Sequence, residues 1–361
     1  MKTQLTTCIV CLMFIIGQAQ QIDLSKFTLS NGSSPAFILV GETPTEIYTP
    51  ENLKALTLHV QENFGESISI EATPYFLINQ QRKDRTYQKY IGVLHDPKSD
   101  EIVQKPFSGL NTTTISFAYV DKEFAGLEGE HKTYSLGIRT TVLRFYNKDK
   151  VHANTIGMAT ALSNITVPSE VLLQGEEAIQ NYYQEHQDEI NALIEPFQKQ
   201  IKPLFRLDAA MGYSVLFKEN KTNSGTANRL GVWLTAETSL ILNEGSEAKT
   251  NNYFNFLLTA RYIEDGFNAF ANNYFTSYYR DLGGKLEFEF GKVGFGYEYI
   301  SRNGVINSER SVGNIRFTIT KDISISGGFG KDFEGPDGEN LLTIIGINWG
   351  INTGNNKVSL N

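Results

Sequence analysis

The chain has 361 residues, a formal net charge of -8 and two cysteines, Cys8 and Cys11. That acidic balance argues against nucleic acid as a partner, because phosphate binding needs clustered cations. A chain without cysteine after residue 11 also has no disulfide staples and no thiolate ligands for zinc. A mean hydropathy of -0.26 sits beside 23 Phe and 17 Tyr. Strict alternation of apolar and polar residues, with aromatics gathered at strand ends, gives this combination.

Residues 1–19 read as a secretory signal, with Lys2 as the positive start, Cys8–Ile16 as the apolar stretch and Gly17-Gln18-Ala19 as the cleavage site. The apolar run is about half the ~20 residues that a spanning helix needs, so cleavage is favoured over anchoring. Residues 20–52 follow as a periplasmic N-terminal segment.

From Leu56 onward the dominant signal is a period of two. Leu56, Leu58 and Val60 open it, and Ile68, Ile70, Ala72 and Phe76 oppose Ser69, Glu71, Thr73 and Tyr75. Ile115–Tyr119, Tyr134–Val142, Phe205–Val215, Leu230–Leu240 and Phe254–Arg261 repeat the pattern. Leu282–Phe290, Val293–Tyr299, Ile315–Ile319, Ile323–Phe329 and Ile345–Ile351 complete a set of twelve. Side chains alternate across a strand, so each run has one greasy face and one wet face. An even number of runs, many of about nine to thirteen residues, predicts an all-β fold: a transmembrane antiparallel up-and-down β-barrel over residues 53–351. A soluble antiparallel sandwich shows the same period, but its strands average about five or six residues.

Phe290-Gly291-Lys292-Val293 and Thr320-Lys321-Asp322-Ile323 read as tight turns, and the polar stretches at 218–228, 264–273, 301–310 and 331–340 as longer loops. Short turns belong on the periplasmic side. This predicts a periplasmic C-terminal tail, residues 352–361, and tight turns on that end only. Two long insertions, 79–110 and 147–203, fall on the same side. The second insertion carries one amphipathic helix whose apolar face is Ile179, Tyr182, Tyr183, Ile190, Leu193, Ile194 and Phe197. It is too polar to face lipid and is expected at the periplasmic rim, packed on Ser34–Pro50.

The stretch Ser34-Pro35-Ala36-Phe37-Ile38-Leu39-Val40-Gly41-Glu42-Thr43-Pro44, with Ile47 and Pro50 behind it, precedes the second-strand motif Ile70-Glu71-Ala72-Thr73-Pro74-Tyr75-Phe76. This order resembles the opening of many exported barrel proteins of Bacteroidota-type bacteria. The resemblance covers about a tenth of the chain and implies an outer-membrane β-barrel family without an assigned activity. Physically, the uncharged run from Ser34 to Gly41 suggests an extended segment tucked against the inner end of the barrel.

Catalytic signals are sparse. The histidines show no metal-type pairing, and His59 reads as a lumen or rim residue. No nucleophile elbow is present. Asp332, Glu334, Asp337 and Glu339 depart from calcium-loop spacing and read as a solvated acidic loop, and Gly327-Gly328-Phe329-Gly330 lies inside a strand. The chain is therefore read as a non-enzyme without cofactors. The wet face carries the acids Glu71, Asp208, Glu237, Asp281, Glu287, Glu289 and Glu298, and the bases Arg139, Arg206, Arg261, Lys285 and Arg316. A selective pore lines its constriction with one sign, whereas near-balance suits a largely filled barrel with charges paired across it. A small-solute pore leads narrowly as the function; the alternative is a structural or docking protein whose insertions bind a periplasmic partner. Outer-membrane lipid is the other expected partner.

Overall fold

A computed structural model of the protein describes residues 21–23, 34–41, 43–47, 55–61, 66–77, 87–96, 99, 101–107, 111–124, 127–165, 167–186, 189, 193, 201–243, 252–270, 273–335, 338–351 and 357–359. The leader 1–19 and Pro50 lie outside the described residues. Twelve antiparallel strands form a closed barrel in which every strand pairs with its neighbours in sequence. They are β1 (Leu56–Gln61), β2 (Ser67–Ala72), β3 (Thr114–Glu123), β4 (Glu130–Phe145), β5 (Phe205–Phe217) and β6 (Thr226–Ile241). Then come β7 (Tyr253–Phe270), β8 (Asn273–Phe290), β9 (Val293–Asn303), β10 (Ser308–Thr318), β11 (Ile323–Gly335) and β12 (Gly338–Ile351). The last strand closes on the first through Gly346↔Gln61 to Ile351↔Leu56, which leaves the cylinder without a free edge.

Each wet run turns inward and each greasy run outward. On β4, Ser135 and Arg139 are buried, while Leu136 and Ile138 are exposed. Phe254, Phe288, Phe290 and Phe295 stack outside near one end, and Tyr262 lies on Tyr278 toward the other. Eight residues separate Phe254 from Tyr262, ~27 Å along the strand and about 20 Å after a ~40° tilt.

Turn placement differs from the sequence reading. Two-residue links occur at both ends, at Gly291–Lys292 on one and at 271–272 and 336–337 on the other. The polar stretches at 264–273, 301–310 and 331–340 mostly continue the strands. Backbone ladders form whatever the side-chain polarity, so polar residues can extend a hairpin past its apolar band. Conversely, the second run stops at Ala72, because Pro74 opens a short helix, Pro74–Leu77.

Both long insertions open from one end of the barrel, the end at which β1 begins and β12 finishes. Gln21–Asp23 pairs with Lys357–Ser359, which ties the N-terminal region to the tail. The insertions share a small core of Phe76, Tyr90, Ile91, Val93, Val151 and Met158. Val151 and Met158 come from a helix, Lys148–Ser163, that the sequence reading missed. Its exposed side mixes threonine, alanine and isoleucine, so no clear polar face marks it. Up to Glu185 the expected long helix is broken at Gly175 into Ser169–Leu173 and Glu176–Glu185, packed on each other. Ile179 is buried and Tyr182 stacks on His186 at 4.0 Å, whereas Leu193 is exposed. The side chain of Tyr183, and Ile190, Ile194 and Phe197, lie outside the described residues. Of the proposed bed at Ser34–Pro50, residues 34–41 and 43–47 lie inside the barrel and not at its rim.

Candidate functional site

The lumen is occupied by the chain's own N-terminal segment. Residues 34–41 and 43–47 lie within the barrel, and Pro35–Val40 is helical where the uncharged run suggested an extended segment. Residues Pro35–Val40 form a short helix, α1, with every side chain buried. Ser34 caps it through its hydroxyl, which accepts from the Phe37 N–H at 3.3 Å; Pro35 fits the first turn, where no N–H is needed. Gly41 ends it in the left-handed conformation at φ 76°. Six residues cannot sustain a helix in water, so α1 exists because the barrel wall holds it.

That wall is shaped for it. Gly137, Gly212 and Gly231 lie side by side on β4, β5 and β6, through the register pairs Gly137↔Gly212 and Gly212↔Gly231. A Cβ at Gly137 would come within 2.6 Å of the Pro35 Cβ, and one at Gly231 within 2.7 Å of a Leu39 methyl. Three missing side chains thus make a flat cradle for the helix. Ser116, next in the same row, accepts from the Ala36 N–H at 3.2 Å, and the Ser34 and Ser69 hydroxyls meet at 2.6 Å.

The last carbonyls of α1, which no helical N–H can reach, are met by cations. Lys122 donates to Val40 O at 2.8 Å, and Arg229 to Leu39 O at 3.0 Å. Arg229 also grips Asp265 with two hydrogen bonds, at 2.8 and 2.9 Å, and covers the Phe267 ring. Cations suit a helix C-terminus. Replacing Arg229 with Met leaves Asp265 buried without that partner; the expected loss is about 3 kcal/mol of barrel stability, measurable by denaturant titration in micelles.

Beyond Gly41 the segment crosses to the opposite wall. Pro44 sits on Gly328, where a Cβ would lie 2.6 Å from the Pro44 carbonyl oxygen. Glu298 accepts from the Thr45 hydroxyl at 2.6 Å, the Glu46 N–H at 2.9 Å and the Ile47 N–H at 2.7 Å. Arg310 donates to Glu298 at 3.0 Å, to Asp332 at 2.6 Å and to Thr43 O at 3.1 Å. Glu46 pairs with Arg261, which also donates to Asp281 at 2.6 Å, and Arg302 donates to Asp281 at 2.8 Å.

All twelve charges singled out on the wet face point inward, and each takes part in an ion pair. Glu71 pairs with Arg139 at 2.5 Å and meets His59 at 3.3 Å, while His59 Nδ1 lies 2.8 Å from Asn348. Arg206 pairs with Glu237 and, at 3.3 Å, with Asp208. Lys285 lies 3.0 Å from Glu287, and Arg316 lies 3.3 Å from Glu289. Lys202, reaching in from the second insertion, donates to Glu289 at 2.6 Å.

Glu46, Lys122, Arg229, Arg302 and Arg310 were not singled out from sequence. The parity signal was there: Arg310 keeps step with Arg316, Arg302 with Glu298 and Arg229 with Gly231. Ending the strands early at polar residues hid it. Of the acidic loop, Asp332 is the member whose side chain is described, and it is paired with Arg310. Among the described residues no group of three or more His, Cys, Asp or Glu is placed to hold a metal.

The arrangement binds a peptide segment across a barrel, through backbone, glycine surfaces and balanced charges. Both cysteines lie at residues 8 and 11, which allows a clean test of its position. A Cβ at Gly212 would lie 3.4 Å from that of Leu39, close to the ~3.8 Å usual for a disulfide. The double variant Leu39→Cys, Gly212→Cys, without the leader, should crosslink nearly completely on oxidation, as read by mass after proteolysis. Little crosslinking would place residue 39 elsewhere.

No protein-family model and no curated protein matches this chain. Among solved structures it is similar to the outer membrane channel DcaP of Acinetobacter baumannii, at 10% identity over 78% of this chain and 72% of that one. The TM-score is 0.27, too low to carry fold or function across.

Proposed function

We propose that this protein is an outer-membrane β-barrel closed by its own N-terminal segment, which anchors the folded insertions at the terminus-bearing end as a docking platform in the periplasm. The observation that carries the reading is residues 34–47, bound to both walls of the lumen. The outward apolar band with aromatic ends and the leader-like residues 1–19 support the location. The paired interior offers no track of one sign for an ion, so a constitutively open pore is the less supported alternative. No side-chain cluster described above assembles a nucleophile, base and oxyanion site, so catalysis has no support in the geometry.

The test is single-channel recording of the purified full chain in planar bilayers. Bilayers that stay silent at protein densities where an open porin conducts are the expected result. A steady open level at low voltage would overturn the closed barrel. Deleting residues 174–197 should leave a heat-modifiable barrel that is equally silent, because the lumen is filled by residues 34–47 and not by that helix. A conducting deletion variant would assign the stopper to the helical insertion instead.

A further inference from the structure

Outside the barrel, the wall over β4–β8 carries a depression of about 710 Å³, within the ~300–1,000 Å³ span of ligand sites. Its origin is in the sequence. Two outward rows run across these strands, Thr140–Ala209–Leu234–Ala260–Leu282 and Ile138–Met211–Val232–Tyr262–Arg280. Ala209 and Ala260 form a low floor, and Leu234, Leu282, Met211 and Tyr262 stand around it. The lining is almost wholly apolar except at one corner, where Arg280 lies beside Tyr262.

Arg280 is unlike the inward arginines. It is exposed on the outward face and has no hydrogen bond or ion pair with a described residue, whereas Arg139, Arg206, Arg261, Arg302, Arg310 and Arg316 all have acidic partners. An arginine facing lipid is strongly unfavourable at mid-bilayer and nearly tolerated at the interface. The stacked Tyr262 and Tyr278 place it at an interface, where amphipathic rings reside. A cation at headgroup depth, above an apolar hollow at acyl-chain depth, is complementary to an anionic amphiphile in both charge and polarity. A guanidinium fork also matches phosphate oxygens.

We propose that this hollow is a binding site for one phosphate-bearing anionic lipid, with an acyl chain on the Ala209–Ala260 floor and the phosphate on Arg280. The site rests on the outer-membrane reading above. The experiment is native mass spectrometry of the full chain released from mild detergent. It is titrated with phosphatidylglycerol, with diacylglycerol of the same chains and with inorganic phosphate. Retention of one phosphatidylglycerol, with far less diacylglycerol and no phosphate, is expected. Arg280→Gln should weaken that retention about tenfold, the scale of one charged hydrogen bond; Ala260→Phe, which fills the floor, should abolish it. Both changes face away from the core, and heat-modifiability checks that the barrels fold. Equal retention by the parent and both variants would mean unspecific annular lipid and would overturn the site alone. Retention of diacylglycerol equal to that of phosphatidylglycerol would overturn the role of Arg280, and with it the proposal. A chain that never enters phosphatidylglycerol vesicles would overturn the site and the membrane reading together.

Discussion

Excising residues 34–47 should convert a silent barrel into a steady channel. A barrel of about eight strands is filled by its own side chains, whereas 16–18 strands leave an aqueous passage. Twelve falls between, so the interior has room for one extra element, and here that element is α1 with residues 43–47 behind it. Its removal takes out Phe37, Ile38, Leu39 and Val40, all buried. The cradle of Gly137, Gly212 and Gly231 offers no side chains to refill the space. The wall pairs Arg310–Glu298 and Arg261–Asp281 do not depend on the segment and keep the vacated lumen polar, so water should enter it. Loss of four buried apolar side chains at ~1.5–3 kcal/mol each will also lower the denaturant midpoint, and a second variant guards against a barrel that fails to fold. Gly137→Leu with Gly231→Leu keeps the whole chain but fills the cradle, and it should raise conductance by displacing α1. If the excised barrel is folded by heat-modifiability and still silent, the segment is not what closes the lumen.

The barrel was legible because its rule is local. A period of two needs no knowledge of partners, and each of the twelve strands overlaps one of the runs that the alternation marks. The twelve inward charges followed from the same parity. Their pairing was foreseeable in kind, since buried charge is tolerated only when matched, although the partners were not. Arg261 reaches Glu46, 215 residues away, and nothing in spacing connects them. The N-terminal segment was misplaced for a related reason. Pro35, Pro44 and an uncharged run read as an extended strap, and six residues are too few for helical periodicity to show. The signal for its true position lay elsewhere, in the inward glycines Gly137, Gly212 and Gly231. Those glycines interrupt three runs at positions that register alone brings together. The turns were misread because polarity was taken to end a strand, when polarity on both faces instead marks where strands leave the apolar band.

The largest expected loss of stability from a single side chain is at Arg310. It is the bulkiest fully buried side chain among the described residues, and Glu298 beside it is equally buried. Its guanidinium joins three parts of the structure: Glu298 on β9, Asp332 on β11 and the Thr43 carbonyl of the lumen segment. Arg310→Met keeps much of the volume and removes the charge. Glu298 then retains its three donors from Thr45, Glu46 and Ile47 but has lost its cation, and Asp332 loses its partner as well. Removing one member of a buried pair costs about 3–5 kcal/mol, and two carboxylates share this one. The denaturant midpoint in micelles should therefore fall by at least that equivalent, and the Leu39–Gly212 crosslink should form less completely because Thr43 is released. Arg310→Lys should recover only part of the loss, since an ammonium cannot span three acceptors in one plane. Adding Glu298→Gln to Arg310→Met should recover more, because the amide oxygen still accepts from the backbone N–H groups without a buried charge. A single Met variant within about 1 kcal/mol of the parent, the range of an exposed pair, would show that water reaches Glu298 and that the lumen is open there.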